Sequence, residues 1–340
     1  MRWSAVWALT GLLLTLSVAN ALTFEEALRR VSELPPVQAS RLELEDAQAA
    51  LARTRSDPLA LRPEIIAAEQ RLALARAQYE QRSYESEAAV GRAYARVLGA
   101  QEEAQLAQQR VVLNQRLLRA AQIRLENLTA TELDVSDAAA ALDGASGARR
   151  AAQERLGLAQ RNLSGLLEQQ IAAGALEPIP ESVLGSTPSA AAALDAARDH
   201  PTLLEARQAE ALAQFNLDIL DPIFSSQTVI EEARTALRSA QAAAQETARA
   251  FEVQLRDLVA QVRSARTTYE VARETLVNAR ARLMVQQNRL SAGLISELEL
   301  RQAEVAASEA EYAALTARND LLTSLLALRA GSLLRLEGID

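Results

Sequence analysis

Apolar residues recur through the second half of the chain at alternating steps of four and three. Beginning at Ala244, the positions are Ala248, Phe251, Leu255, Leu258, Val262, Ala265, Tyr269, Ala272, Leu276, Ala279 and Leu283, and every one is apolar. A 3.5-residue period held this long specifies a coiled-coil seam rather than a merely amphipathic surface helix. The same seam stands 165 residues earlier, at Val90, Ala93, Val97, Ala100, Ala104, Ala107 and Val111. Many of its positions are Ala, which lets neighbouring backbones approach closely.

Proline marks where these helices must stop. None occurs between Pro63 and Pro178, and none after Pro222. A proline inside a helix costs about 3 kcal/mol, so both windows are free to hold very long helices. The pattern predicts about sixty residues for each, roughly 90 Å at the rise of an α-helix.

The doubling is literal at one place. RLSAGLISELELRQAE, Arg289 to Glu304, aligns without gaps on RLENLTATELDVSDAA, Arg124 to Ala139. Arg, Leu, Glu, Leu and Ala recur identically, Thr131 becomes Ser296, and Asp134 becomes Glu299. Pro35 matches Pro201, and Asp57-Pro58 matches Asp221-Pro222 with a small drift. Each half therefore reads as one series: a short helix ending near a proline, a second helix, a break at Asp-Pro, the long helix, the quoted turn, and a return helix. The predicted fold class is all-α, two tandem repeats of very long coiled-coil helical hairpins. The organisation it implies is a signal segment at 1–21, repeat 1 at 22–169, a Gly- and Pro-rich linker at 170–188, and repeat 2 at 189–340.

The quoted stretches have the chemistry of a tight helix–helix turn. Thr131 with Asp134, and Ser296 with Glu299, have the spacing of a capping box, in which hydroxyl and carboxylate each satisfy an orphan backbone N–H. The carboxylate also complements the positive end of the helix. Gly293 is placed to close the preceding helix in the left-handed conformation. In the first copy Leu128 stands there, and Asn127 beside it is the expected left-handed residue. The turn residues are thus Leu128, Thr129, Thr131 and Asp134 in one hairpin, and Gly293, Leu294, Ile295 and Ser296 in the other. From these residues alone, a turn with no further role and a turn that is also a contact surface are both open readings.

Composition narrows the rest. A net charge of −8 excludes a nucleic-acid partner read through phosphate neutralisation. Hydrophobic residues make up 49% while aromatics make up 3%, so the apolar share is mostly Ala, Leu and Val, the residues of close-packed long helices. There is no Cys, hence no disulfide, thiolate metal site or acylated lipoprotein cysteine. The basic residues are all Arg, which we read as codon bias. Arg2, the apolar run from Val6 to Val18 and the small residues of Ala19-Asn20-Ala21 have the order of a cleaved secretory signal. An enzyme has little to stand on. The only histidine, His200, precedes Pro201 at a helix break and reads as a surface turn residue, and there is neither a phosphate-binding loop nor a metal-ligand cluster. The paired acids Glu25-Glu26, Glu102-Glu103 and Glu231-Glu232 read as solvated helix faces. No cofactor and no metal are expected.

With the doubled turn, the two-fold series and the opening LTFEEAL at Leu22 to Leu28, the chain resembles the TolC-like outer-membrane efflux family over nearly its whole mature length. That resemblance implies a helical tunnel across the periplasm built by a homotrimer, whose hairpin tips meet a periplasmic adaptor of an efflux pump. It implies acidic residues near the tip of the second repeat that constrict the entrance. Their positions fall here on Glu299 and on Gln302, which is not acidic. It also implies two transmembrane strands per repeat before each long helix. Only Pro58 to Glu64 and Pro222 to Thr228 stand in those places, too short for strands of about 9–11 residues. The chain is therefore expected to keep the tunnel helices without a pore-forming barrel. Its location would be the periplasm, with no more than peripheral contact with the outer membrane, through residues near Leu59, Leu61, Ile223 and Phe224. Two function classes follow, an efflux or secretion conduit component and a non-transporting coiled-coil scaffold of the cell envelope. A membrane-fusion adaptor fits less well, because its β-rich flanking segments have no counterpart.

Overall fold

The computed structural model describes residues 22–169, 176–221 and 223–335. The signal segment expected at 1–21, the first part of the expected linker and Pro222 lie outside them.

Among the described residues eight α-helices follow one another, with short 3-10 turns between some of them. Helix α1 (Phe24–Arg29) is capped by Thr23, whose side chain accepts the N–H of Glu26 while the Glu26 carboxylate accepts the N–H of Thr23, both at 3.1 Å. Helix α2 (Pro35–Ser56) begins on proline, and the 65-residue helix α3 (Arg62–Glu126) carries proline in its first turn. There the missing N–H would have been unpaired anyway. The return helix α4 (Glu132–Leu166) closes the first hairpin. The second half repeats the series with α5 (Ala190–Ala196), α6 (Pro201–Asp218), another 65-residue helix α7 (Gln227–Ser291), and α8 (Glu297–Ser332). Among the described residues there is no strand, only one isolated parallel bridge between Leu22 and Leu176. No described helix is long and apolar enough to cross a membrane.

The long helices α3 and α7 each pair with two shorter ones, α2 and α4 along α3, α6 and α8 along α7, and the two hairpins meet where α3 packs on α8. Toward the quoted turns the layer runs α4, α3, α8, α7. Toward the Asp-Pro turns α2 and α6 take the places of α4 and α8.

This arrangement explains an asymmetry that periodicity alone conceals. Helix α3 lies between neighbours and is buried on several sides, from Ser86 and Ala88 through Val90, Gly91, Ala93, Tyr94, Ala95 and Val97 to Ala100. Helix α7 has company on one side, and among the described residues its buried side chains are Ile230, Phe251, Leu255, Val259 and Val262. The seam read in α7 is therefore correct from Phe251 onward, whereas Ala248 is exposed. Ahead of Phe251 the half-buried positions run through Ala240, Ala244 and Thr247, so the covered stripe passes Ala248 by.

The core lies midway along the hairpins. Phe24 of α1 meets Tyr94 of α3 edge to face, with ring centroids 5.4 Å apart. The Tyr94 hydroxyl lies 2.8 Å from the Leu22 carbonyl and 2.7 Å from that of Glu177. It thereby fastens the amino-terminal segment and the stretch after residue 175 to the same point of α3. That stretch is no loose tether, since Leu176, Ile179, Val183 and Leu184 are buried in the same core. Leu321, Leu322, Leu325, Leu326 and Leu328 of α8 complete it. Arg329 of α8, also buried, pairs with Glu87 of α3 at 3.2 Å beneath the ring of Tyr84. This is a buried charge contact that only one register of α8 on α3 brings together.

His200 departs from its reading as a surface residue. It is 5% exposed, lies against the ring of Phe251 at 4.6 Å, and its Nδ1 accepts the N–H of Thr202 at the start of α6. Burial pushes its imidazole below the usual pKa. Proline at the next position fixes the helix start, and α7 then covers the ring.

Candidate functional site: the paired hairpin tips

Both quoted turns fold alike, through the same set of hydrogen bonds. In the first tip, the N–H of Thr129 donates to the Arg124 carbonyl at 2.8 Å and that of Leu128 to Leu125 at 2.9 Å. In the second, Leu294 donates to Arg289 at 2.8 Å and Gly293 to Leu290 at 2.9 Å. These are the two bonds of a Schellman helix end, which satisfies carbonyls that the helix leaves orphaned. The Thr129 hydroxyl adds a bond to the Arg124 carbonyl at 3.0 Å.

The next helix starts at once. The Asp134 carboxylate accepts the N–H and hydroxyl of Thr131 at 2.7 and 2.8 Å, and the N–H of Asp134 returns to the Thr131 hydroxyl at 3.3 Å. Ser296 and Glu299 repeat this at 2.8, 2.9 and 3.2 Å. The expected capping boxes are therefore present. Hydrogen bonds from Thr131 hold the Asp134 carboxyl below the usual carboxylate range, and bonds from Ser296 do the same for Glu299.

One expectation fails in an informative way. The left-handed residue of the first tip is Leu128 at φ 58°, not Asn127, which stays at φ −86°. Gly293 occupies the corresponding place at φ 69°. The Schellman geometry demands positive φ one residue past the helix end, and the 165-residue register puts Leu128 there whatever its neighbour prefers. A leucine so placed costs about 1–2 kcal/mol relative to a right-handed one. It is also 91% exposed, with Leu294 next to the matching glycine at 68%. Ile295 is half-buried. The two tips belong to adjoining hairpins, bridged close by through Arg116 and Glu297 at 3.8 Å and farther back through Arg110 and Glu309 at 2.7 Å.

The candidate constriction residues stand differently. Glu299 and Gln302 are both exposed, one helical turn apart on α8. The Glu299 carboxylate, however, is occupied by its own cap. Among the described residues no group of three His, Cys, Asp or Glu could hold a metal ion. Sequence reasoning marked the Asp-Pro ends as breaks and named the apolar residues beside them, but not the geometry of their turns. There Asp57 accepts the N–H of Leu59 at 2.9 Å and Asp221 that of Ile223 at 2.8 Å. The signal was the repeated Asp itself, a residue whose short carboxylate turns back onto the backbone two positions on.

No family model matches the sequence, and no curated protein matches it. Solved structures do match. CusC, a structure described for its folding and transmembrane channel formation, is similar with a TM-score of 0.67 at 13% identity, over 91% of this chain and 95% of that one. The outer-membrane protein VceC of Vibrio cholerae is similar at 0.61 and 16%, over 93% and 97%. The MtrE outer-membrane channel of Neisseria gonorrhoeae, in its open state, is similar at 0.63 and 15%, over 91% and 88%. At these identities the likeness establishes the fold. The chain has the helical architecture of the TolC-like outer-membrane channels along more than nine-tenths of its length, without a strand among its described residues.

Proposed function

We propose that this chain is the periplasmic helical-tunnel component of an efflux or secretion conduit, and that its hairpin tips dock a periplasmic adaptor. Three copies laid side by side would make the tunnel, in the envelope location that the amino-terminal signal segment supplies. The observation that carries the reading is Leu128. A bulky apolar side chain is held in a strained backbone conformation and almost fully in water, where the equivalent position of the other tip uses glycine. Strain and exposure together at a turn point to contact rather than to stability. The role is non-catalytic, in keeping with the channels whose fold the chain shares. Glu299 and Gln302 would lie where the tunnel narrows, with one acidic side chain per copy rather than two.

Replacing Leu128 or Leu294 by a photoreactive residue tests the reading in the native envelope. Both positions should cross-link to an adaptor bearing a long coiled-coil hairpin, and a probe at exposed Leu158 on the side of α4 should not. Equal labelling at all three would return the tips to turns alone.

A second reading keeps one specific observation in its favour. The segments joining α2 to α3 and α6 to α7 are short, and the described residues hold none of the strands of a channel. A scaffold or spacer of the envelope would need only the hairpins. An axial lumen in the assembled protein separates the two.

A further inference from the structure

Midway along the hairpins a groove lies between α4, α3 and α8, with a volume of about 480 Å³. Small side chains make its floor, Ala95, Gly99 and Ala100 of α3 with Ala159 of α4. They leave a hollow where larger residues would fill the space between the helices. Leu158 of α4 adds an apolar wall and is half in water. Three guanidinium groups stand over this floor, those of Arg92, Arg96 and Arg155, all on exposed residues.

Their partners differ. Arg155 donates twice to the Glu103 carboxylate, at 2.6 and 3.2 Å. Among the described residues Arg92 and Arg96 have neither an ion pair nor a hydrogen bond from their side chains. They stand four residues apart on one helix, where like charges repel. Asp320 of α8 also lines the groove, and its carboxylate is in no ion pair. Two free cations against one free anion leave a single positive charge, in a chain whose net charge is −8.

The helical register says where the groove opens. Gln302 and Asp320 are eighteen residues apart, which is five turns at 3.6 residues per turn, so they share a face of α8. Ala306, Glu309, Ala313 and Thr316 continue that face between them, and all are exposed. Arg92 and Arg110 have the same eighteen-residue relation on α3, and Arg110 joins this face through Glu309 at 2.7 Å. On the conduit reading, the face that holds Gln302 where the tunnel narrows looks into the lumen.

We propose that the groove binds an amphiphilic organic monoanion, a carboxylate or sulfonate on an apolar body, and that such molecules are the conduit's cargo. The guanidinium fork of Arg92 or Arg96 matches an oxyanion group with two parallel bonds. The Ala and Gly floor and Leu158 receive the apolar body. Asp320 on the opposite wall repels a second negative charge, so a polyanion is disfavoured. Calling the ligand a cargo rests on the conduit reading. The binding site itself does not.

Fluorescence titration of the purified protein with anilinonaphthalene sulfonate, one sulfonate on an apolar body, tests it. Saturable binding at one site per chain is expected. Arg92→Gln with Arg96→Gln should weaken it by at least about tenfold, since a charge-assisted bond is worth roughly that factor. An unchanged circular-dichroism spectrum and Tm show that the variant folds. Arg41→Gln with Arg53→Gln removes the same charge from exposed positions of α2 and should leave the affinity unchanged. N-phenylnaphthylamine, the same rings without the sulfonate, should bind the Arg92 and Arg96 variant as it binds the wild type. The proposal is overturned if the wild type shows no saturable binding, if the double change leaves its affinity as it was, if the α2 control weakens it equally, or if the uncharged probe is lost in step with the charged one. Binding by a protein without an axial lumen would overturn the conduit and with it the cargo, leaving a ligand site. A lumen without binding would leave the conduit standing and overturn this assignment.

Discussion

Leu128 and Gly293, 165 residues apart, occupy the same left-handed position in two otherwise matching turns, at φ 58° and 69°. The backbone is shared and the side chain is not. Leu128→Gly should therefore stabilise the protein by about 0.5–1 kcal/mol, relief of the left-handed strain being partly offset by the greater freedom of glycine in the unfolded chain. Gly293→Leu should destabilise it by a similar amount. Chemical denaturation of both variants checks the pair, and on the contact reading Leu128→Gly becomes more stable yet binds its partner less well.

The caps on the following helices give a second expectation. Thr131→Ala or Ser296→Ala should each cost about 0.5–2 kcal/mol. The carboxyls of Asp134 and Glu299 are held low in the folded state, so their contribution is present above the ordinary carboxylate range and is lost as pH falls through the lowered values. In the alanine variants the acid limb of the stability profile should flatten, which a urea titration repeated from pH 5 downward would register.

Close packing of α3 on α8 sets a third. A Cβ placed on Gly91 would stand 2.4 Å from Cδ1 of Leu326, itself buried. Gly91→Ala should thus cost about 1–3 kcal/mol through overpacking. Gly144 on α4 has open space around it, and Gly144→Ala should stabilise by about 0.5–1 kcal/mol. Opposite shifts of Tm would confirm that the interface between hairpins is close-packed while the outer edge of α4 is free.

Much of this was legible in the sequence because it is periodic or doubled. The 3.5-residue seam, the proline-free windows and the S/T-x-x-D/E pairs each follow from local chemistry. What escaped depends on neighbours or on register. Ala248 continues the seam, but the covered stripe of α7 there passes through Ala244 and Thr247 instead. His200 resembles a turn residue until α7 folds over it. Asn127 has the better intrinsic preference for positive φ, yet the Schellman bonds to Arg124 and Leu125 select Leu128. The Asp57 and Asp221 turns were visible as breaks flanked by Leu59, Leu61, Ile223 and Phe224, but nothing in the pattern of apolar residues marks the Asx turn itself.

His200 supplies a fourth expectation, because it is the only histidine in the chain. Burial keeps it neutral in the fold, so the unfolded chain binds the proton more readily. Stability should be full above about pH 6.5 and should decline as pH falls below that value. His200→Asn keeps an N-cap acceptor without a titrating ring. The variant should lose some stability at every pH through its contact with Phe251, and should lose the dependence between pH 7 and 5. A profile as steep as that of the wild type would assign that dependence to other groups.

The central claim is that these hairpins are wall elements of a tunnel. Electron microscopy of the purified protein addresses it most directly. The account predicts a closed ring of copies in end view, with an open axial lumen and paired tips gathered at one end. A monomer, or a rod with a filled centre, would contradict it and leave the scaffold as the surviving reading.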